Sequence, residues 1–131
     1  DISAYAIDSA TGVLASLPGS PYPVGAYPRA IAIEPSGRFA YVLGDGAEEG
    51  NIFAFGIDGL TGALTKRLAM RLTACSSTSM SFDPSGRFAY VPCPAGVWIL
   101  RYDGNTGALT EGPGNPFAPG TLNPISVAVT N

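Results

Sequence analysis

The eight residues PSGRFAYV occur at Pro35–Val42 and again, letter for letter, at Pro84–Val91. Chance does not repeat an octapeptide within 131 residues, and a single compact core has no use for two identical hairpins. The chain therefore reads as copies of one unit, and that unit has to be found before any strand or helix is assigned. The two copies start 49 residues apart, at 35 and 84. A second set of segments repeats beside them: DISAYAIDSATGVL from Asp1, NIFAFGIDGLTGAL from Asn51 and GVWILRYDGNTGAL from Gly96. Their shared Asp-x-x-Thr-Gly-x-Leu begins at Asp8, Asp58 and Asp103, spacings of 50 and 45. A third set links them, LPGSPYPVGAYPRAIAI from Leu17 matching GPGNPFAPGTLNPISVAV from Gly112 with one residue inserted. The whole chain is covered.

Each unit reads as four short strands. The first is an apolar run, as in Ala30–Ile33, Thr78–Phe82 or Ile125–Val129. Asp/Glu-Pro-Ser-Gly-Arg follows as a hairpin signal, because Pro fixes φ at the second turn position and Gly accepts positive φ at the exit. Phe-Ala-Tyr-Val is the second strand. The third alternates at period two, with Ile52, Ala54 and Gly56 on one face and Phe53, Phe55 and Ile57 on the other. The Asp-x-x-Thr-Gly turn then leads into a fourth, more polar strand such as Ala63–Leu72. Nothing sustains a helical period, so the fold class is all-β.

Composition agrees and excludes several functions. The apolar share is 46% and the charged share only 13%, against a usual charged share of about 25%, which argues against disorder. Seventeen Gly and twelve Pro supply the turns that short strands need. Net charge is −3, with one lysine and six arginines, so no basic face is available for nucleic acid or anionic lipid. No apolar run approaches the roughly 20 residues of a membrane-crossing helix. The absence of histidine removes the commonest general base and the commonest transition-metal ligand. The chain opens directly in a strand-like segment, which suggests a mature or trimmed chain and favours an exported location.

Four antiparallel strands in a repeat of about 45–50 residues are the signature of a β-propeller blade, and rings need about four to eight blades to close. With strands named a to d from the axis outward, the order is c-d, a-b-c-d, a-b-c-d, a. Residues 1–27 form the outer half of one blade, 28–73 and 74–122 two full blades, and 123–131 the inner strand of a further one. Such a set leaves open edges and an uncovered apolar face. The expected partners are therefore other copies of the chain or the rest of a longer propeller.

At these residues a family resemblance emerges. PRAIAIEPSGRFAYVLG, ISAYAIDSATGVL and PGSPYPVG resemble the repeats of the lactonase-type seven-bladed propellers, which include 6-phosphogluconolactonase-like, carboxymuconate-cyclase-like and YVTN-repeat proteins. The resemblance spans essentially the whole chain and lies in turn and core positions, so it implies the fold more sharply than the reaction. It implies a ligand end over the central channel and, for enzymatic members, histidine or clustered arginine and glutamate on one face of the ring. Here there is no histidine, and the arginines are scattered.

The channel mouth is where candidate site residues fall. Arg29 enters an innermost strand, where its planar fork suits a carboxylate or phosphate on a small anionic ligand; the plainer alternative is pairing with a neighbour. Its counterparts, Thr78 and Ile125, are not basic. The loop GDGAEEGN places Asp45, Glu48 and Glu49 at the same end, an oxygen set of the kind Ca²⁺ takes, although the EF-hand pattern is absent and acidic surface loops are common; no metal and no cofactor is assigned. Cys75 precedes one inner strand and Cys93 follows its hairpin partner. A turn centred on Ser85 would put Cys75 opposite residue 95, two places from Cys93; diagonal neighbours of that kind come within disulfide range where the strand ends curl inward, so a disulfide is expected over two free thiols in an oxidising compartment. Trp98, Phe39, Phe53, Phe55 and Phe88 read as packing between blades, Arg38 and Arg87 as turn residues, and Tyr22 and Phe117 as repeated packing anchors. The expected function is a lactonase-like scaffold that binds a ligand or protein without catalysis by the isolated chain. The alternative is a lactonase or cycloisomerase acting on a small carboxylated or phosphorylated lactone once the ring is complete.

Overall fold

The computed structural model describes residues 1–25, 27–45, 51–73, 75–118, 120 and 123–130. Ten strands and no helix occur among them: β1 (Tyr5–Ile7), β2 (Leu14–Ser16), β3 (Tyr27–Ile33), β4 (Phe39–Asp45), β5 (Ile52–Ile57), β6 (Leu64–Met70), β7 (Ser81–Phe82), β8 (Phe88–Cys93), β9 (Gly96–Tyr102) and β10 (Leu109–Glu111). They form antiparallel sheets, each meandering in chain order: β1-β2, β3-β4-β5-β6 and β7-β8-β9-β10. These are β-propeller blades.

Two local devices repeat and set the turns. At the hairpins, the Glu34 carboxylate accepts the amides of Ser36, Arg38 and Phe39, and Asp83 does the same for Arg87 and Phe88. Gly37 and Gly86 then adopt φ of 73° and 66°, open to glycine without strain. At the β5–β6 connection and its equivalents, Asp8, Asp58 and Asp103 each accept the amides two and three residues on. The following Thr hydroxyl takes the amide two further on, at Val13, Ala63 and Ala108. Such Asx turns form from local sequence alone, which explains why they recur wherever the motif does.

Period-two alternation in the central strands produces two cores rather than one. Tyr41, Leu43, Ile52 and Ala54 of the β3–β6 sheet pack against Ala89, Val91, Trp98 and Leu100 of the β7–β10 sheet. Val42, Phe53 and Phe55, on the opposite face, pack against Val24, Ile2 and Leu64. A strand buried on both faces is what stacking blade on blade requires, and β4 is buried along all but its last residue. The rings of Tyr41, Phe82, Phe39 and Tyr102 meet at 5.2–6.4 Å between centroids, tilted or edge to face.

Several expectations need correction. The apolar run Thr78–Phe82 yields a strand only at Ser81–Phe82. Ser81 faces Tyr90 and Phe82 faces Ala89, so the turn is centred between Ser85 and Gly86, not on Ser85. Residues 123–130 form no strand, because an inner strand without a neighbour shares no ladder; the Val127 carbonyl instead accepts the Ser81 hydroxyl at 2.7 Å. Phe117 is 54% exposed and contributes through its backbone, bridging to Val97, rather than as a buried ring.

Candidate functional site

The start of β3 and the end of β4 lie at one end of their sheet, and a register shift there decides what Arg29 does. Pro28 faces Gly44 and Ala30 faces Leu43, which leaves Arg29 as the extra residue of a β-bulge. Bulges re-aim a side chain. Arg29 turns to Asp45, with Nε 2.8 Å from Oδ2 and one terminal nitrogen donating to the same oxygen. Both side chains are roughly half exposed, at 47% and 40%. The close backbone approach beside them depends on Gly44, where a Cβ would sit 2.6 Å from the Tyr27 carbonyl oxygen.

The structure thus brings together two of the sequence-derived candidates, and it does so through pairing with a neighbour, the plainer of the two roles considered for Arg29. Glu48 and Glu49 lie outside the described residues. Among the described residues no three or more His, Cys, Asp or Glu side chains converge as metal ligands.

At the same end of the neighbouring sheet, a small cleft of about 170 Å³ is lined by Ser76, Ser77, Thr78, Pro92, Asn123 and Pro124, among others. Cys75 and Cys93 are joined by a disulfide with Cα atoms 4.9 Å apart, which ties the serine-rich segment to the end of β8. Asn51 holds the same segment from the other side: its amide nitrogen donates to the Leu72 and Cys75 carbonyls at 2.9 and 2.7 Å, and its oxygen accepts the Leu72 amide. Ser77, 8% exposed, donates its hydroxyl to the Ser79 carbonyl and accepts the Ser79 amide. Asn123 is the non-glycine residue at positive φ (64°) among those described, and its amide donates to Pro94. Sequence reasoning missed this hydroxyl-rich cleft. The run Cys-Ser-Ser-Thr-Ser was visible, but only the tertiary fold brings it beside Asn123.

Chemically, this end offers a guanidinium–carboxylate pair and hydroxyl and amide groups, a set suited to hydrogen-bonding a polar or anionic ligand. The titratable groups whose acidity is shifted lie elsewhere. Burial would raise Glu34, but the Ser36 hydroxyl and three backbone amides outweigh it and leave the carboxyl below its usual value. Burial pushes Tyr102 up to about 12, with the Glu34 charge adding to it. Both belong to the hairpin-turn end of the blades, opposite the Arg29 end.

With the geometry in view, comparison with known proteins defines the class. The β-sheet meander superposes on a 6-phosphogluconolactonase-like protein of Bacteroides fragilis NCTC 9343 with a TM-score of 0.67 and 24% identity, over 84% of this chain and 32% of that one. It also superposes on the periplasmic gluconolactonase of Pseudomonas aeruginosa, with a TM-score of 0.66 and 20% identity over 83% of this chain and 31% of that one. The PQQ domain of pyranose dehydrogenase from Coprinopsis cinerea matches with a TM-score of 0.58 and 19% identity, over 72% of this chain and 26% of that one. No protein-family model matches, and no curated protein sequence does either. The fold is that of the lactonase-type β-propellers, and the chain spans about one third of the length of the lactonase-like structures it matches.

Proposed function

We propose that this chain is a blade segment of a lactonase-like propeller acting as a binding scaffold, with the Arg29 end as its recognition surface for a small anionic ligand. The observation that carries this reading is the bulge that aims Arg29 at Asp45, at the same end of the blades as the hydroxyl-lined cleft around Ser76 and Asn123. An arginine already held by one carboxylate oxygen keeps donors free for a second anion in a defined direction. A scaffold is favoured over an isolated enzyme because no pair of groups with complementary acid and base roles stands at this end among the described residues. The Cys75–Cys93 disulfide and the periplasmic neighbour support an exported location.

A second reading, a lactonase acting when the ring is complete, is favoured by the names of the similar structures. Gluconate, 6-phosphogluconate and the corresponding lactones are the probes that separate the two. Titration calorimetry on the chain and on Arg29→Ala should show anion binding that the substitution removes, with no lactone hydrolysis above the uncatalysed rate. Because an exposed ion pair contributes only about 0–1 kcal/mol, Arg29→Ala should leave the unfolding midpoint nearly unchanged. Anion binding that is equal in both proteins would overturn the recognition role, and hydrolysis abolished by Arg29→Ala would favour the enzyme.

A further inference from the structure

The outer strands of the three sheets are not alike. β2 and β10 span three residues each, and Pro18 and Pro113 follow them within two positions. β6 spans seven residues, and no proline occurs from 59 to 82. It is the last strand of its sheet, so among the described residues one edge of its ladder is unpaired. The Met70 carbonyl accepts the Asn51 amide, and strand alternation therefore turns the amide and carbonyl of Ala69 off the sheet.

The face beside this edge is apolar and hollow. Leu68 pairs with Ala54 and Met70 with Ile52, which puts both on the face turned to the β7–β10 sheet. Tyr41, Ala54, Leu68, Met70 and Leu109 line a cavity of about 240 Å³ there. A register shift between Ala54 and Phe55 leaves Arg67 as a bulged residue. Its Nε lies 3.0 Å from where a Cβ on Gly56 would be, on the same face as Ala54 and Leu68. The Arg67 side chain makes no hydrogen bond or ion pair among the described residues. Lys66, Arg67 and Arg71 are three of the chain's seven cations, and no Asp or Glu occurs from 59 to 82.

We propose that the free edge of β6, with the cavity beside it, is a docking site for an extended acidic segment of another protein, added to the sheet as a further antiparallel strand. The backbone of that segment pairs with Ala69. Apolar side chains opposite Leu68 and Met70 share their face and enter the cavity, and a carboxylate further along meets Arg67. Cations and a bulge ordinarily keep a strand edge from sticking. Here they also choose the partner. A second copy's β6 would set Lys66, Arg67 and Arg71 against the same three residues, and like charges across a ladder repel, whereas an acidic strand reverses the sign. This inference is independent of any ligand at Arg29 and of how the ring is completed.

The probe is the capped peptide Leu-Thr-Leu-Thr-Glu-Thr-Glu, titrated into the full chain by calorimetry and followed by amide hydrogen exchange; its control carries Lys in place of both Glu. The acidic peptide should bind saturably, more weakly as salt is raised, and slow exchange at Ala69. The lysine peptide should bind about tenfold more weakly. Arg67→Glu should reverse that preference. Ala69→Pro removes an N–H that points off the sheet, so it should keep the strand content seen by circular dichroism and lose the peptide. If the proline variant does not fold, the charge reversal decides alone. No binding, equal binding of the two peptides, or binding that survives Ala69→Pro in a folded protein overturns the proposal. So does concentration-dependent protection of Ala69 in the peptide-free chain, which would assign the edge to self-association.

Discussion

The hydroxyl of Tyr41 donates a 2.8 Å hydrogen bond to the carbonyl of Gly107, across 66 residues of sequence and from one blade to the next. Tyr41 is fully buried, and burial together with the neighbouring Tyr102 pushes its phenol far above the usual value, so it remains a donor at any ordinary pH. Replacing it by phenylalanine keeps the ring packing and orphans a carbonyl. Tyr41→Phe should therefore lower stability by about 1–2 kcal/mol in urea unfolding. An unchanged midpoint would show that water replaces the bond without loss.

The partner position is equally constrained. Gly107 has φ of 76°, and a Cβ there would lie 2.5 Å from the Phe39 ring. Two penalties act together, one from the backbone and one from the ring that must shift. Gly107→Ala should destabilise by about 2–4 kcal/mol, clearly more than the same change at Gly37, where the φ is also positive but nothing stands within 4 Å. Equal effects at the two glycines would locate the whole cost in the backbone.

Acid should weaken the hairpin turns. Hydrogen bonds hold the folded-state Glu34 carboxyl below the unfolded value near 4.5. The stabilisation is therefore complete above that value and is lost as pH falls through the lower folded one. Asp83 behaves the same way from 3.8 downward, its burial outweighed by Ser85 and the amides of Phe88, Arg87 and Ser85. Glu34→Gln should reduce stability at pH 7 by roughly 1–3 kcal/mol and flatten the acid limb of stability against pH. A variant whose acid limb is as steep as the parent's would show that Glu34 does not supply it.

The disulfide joins Cys75 and Cys93, 18 positions apart in sequence, with Cys93 in the core between the sheets and Cys75 packed against it. Reduction should cost about 2–4 kcal/mol of stability by constraining the unfolded chain less. It should also speed amide exchange at residues 75–79, where the Asn51 hydrogen bonds would remain. Intact mass under alkylation, with and without reductant, reports the bond directly; two alkylated thiols without reductant would remove it from the account.

What could be read in advance follows how local each interaction is. The Asp58–Thr61 and Glu34–Phe39 turns involve partners three to five residues apart, so the motif alone predicts their geometry. The two-faced burial of Ile52–Phe55 follows from strand alternation. The shortening of the expected Thr78–Phe82 strand was not legible, because the disulfide and Asn51 hold the chain before Ser81 in a path no propensity describes. Nor was the fate of Arg29, since a bulge is a matter of register between two strands.

The sequence by itself determined the repeating blade. Period-two apolar strands, aspartate-capped turns and positive-φ glycines are each encoded within a few neighbouring residues, and copying the unit copies the shape. Only the tertiary structure decided which faces of those blades are covered and which side chains meet at the Arg29 end. Burial of Met80 but not Ile31, at equivalent positions, depends on what stands across the gap, and no local interaction carries that information.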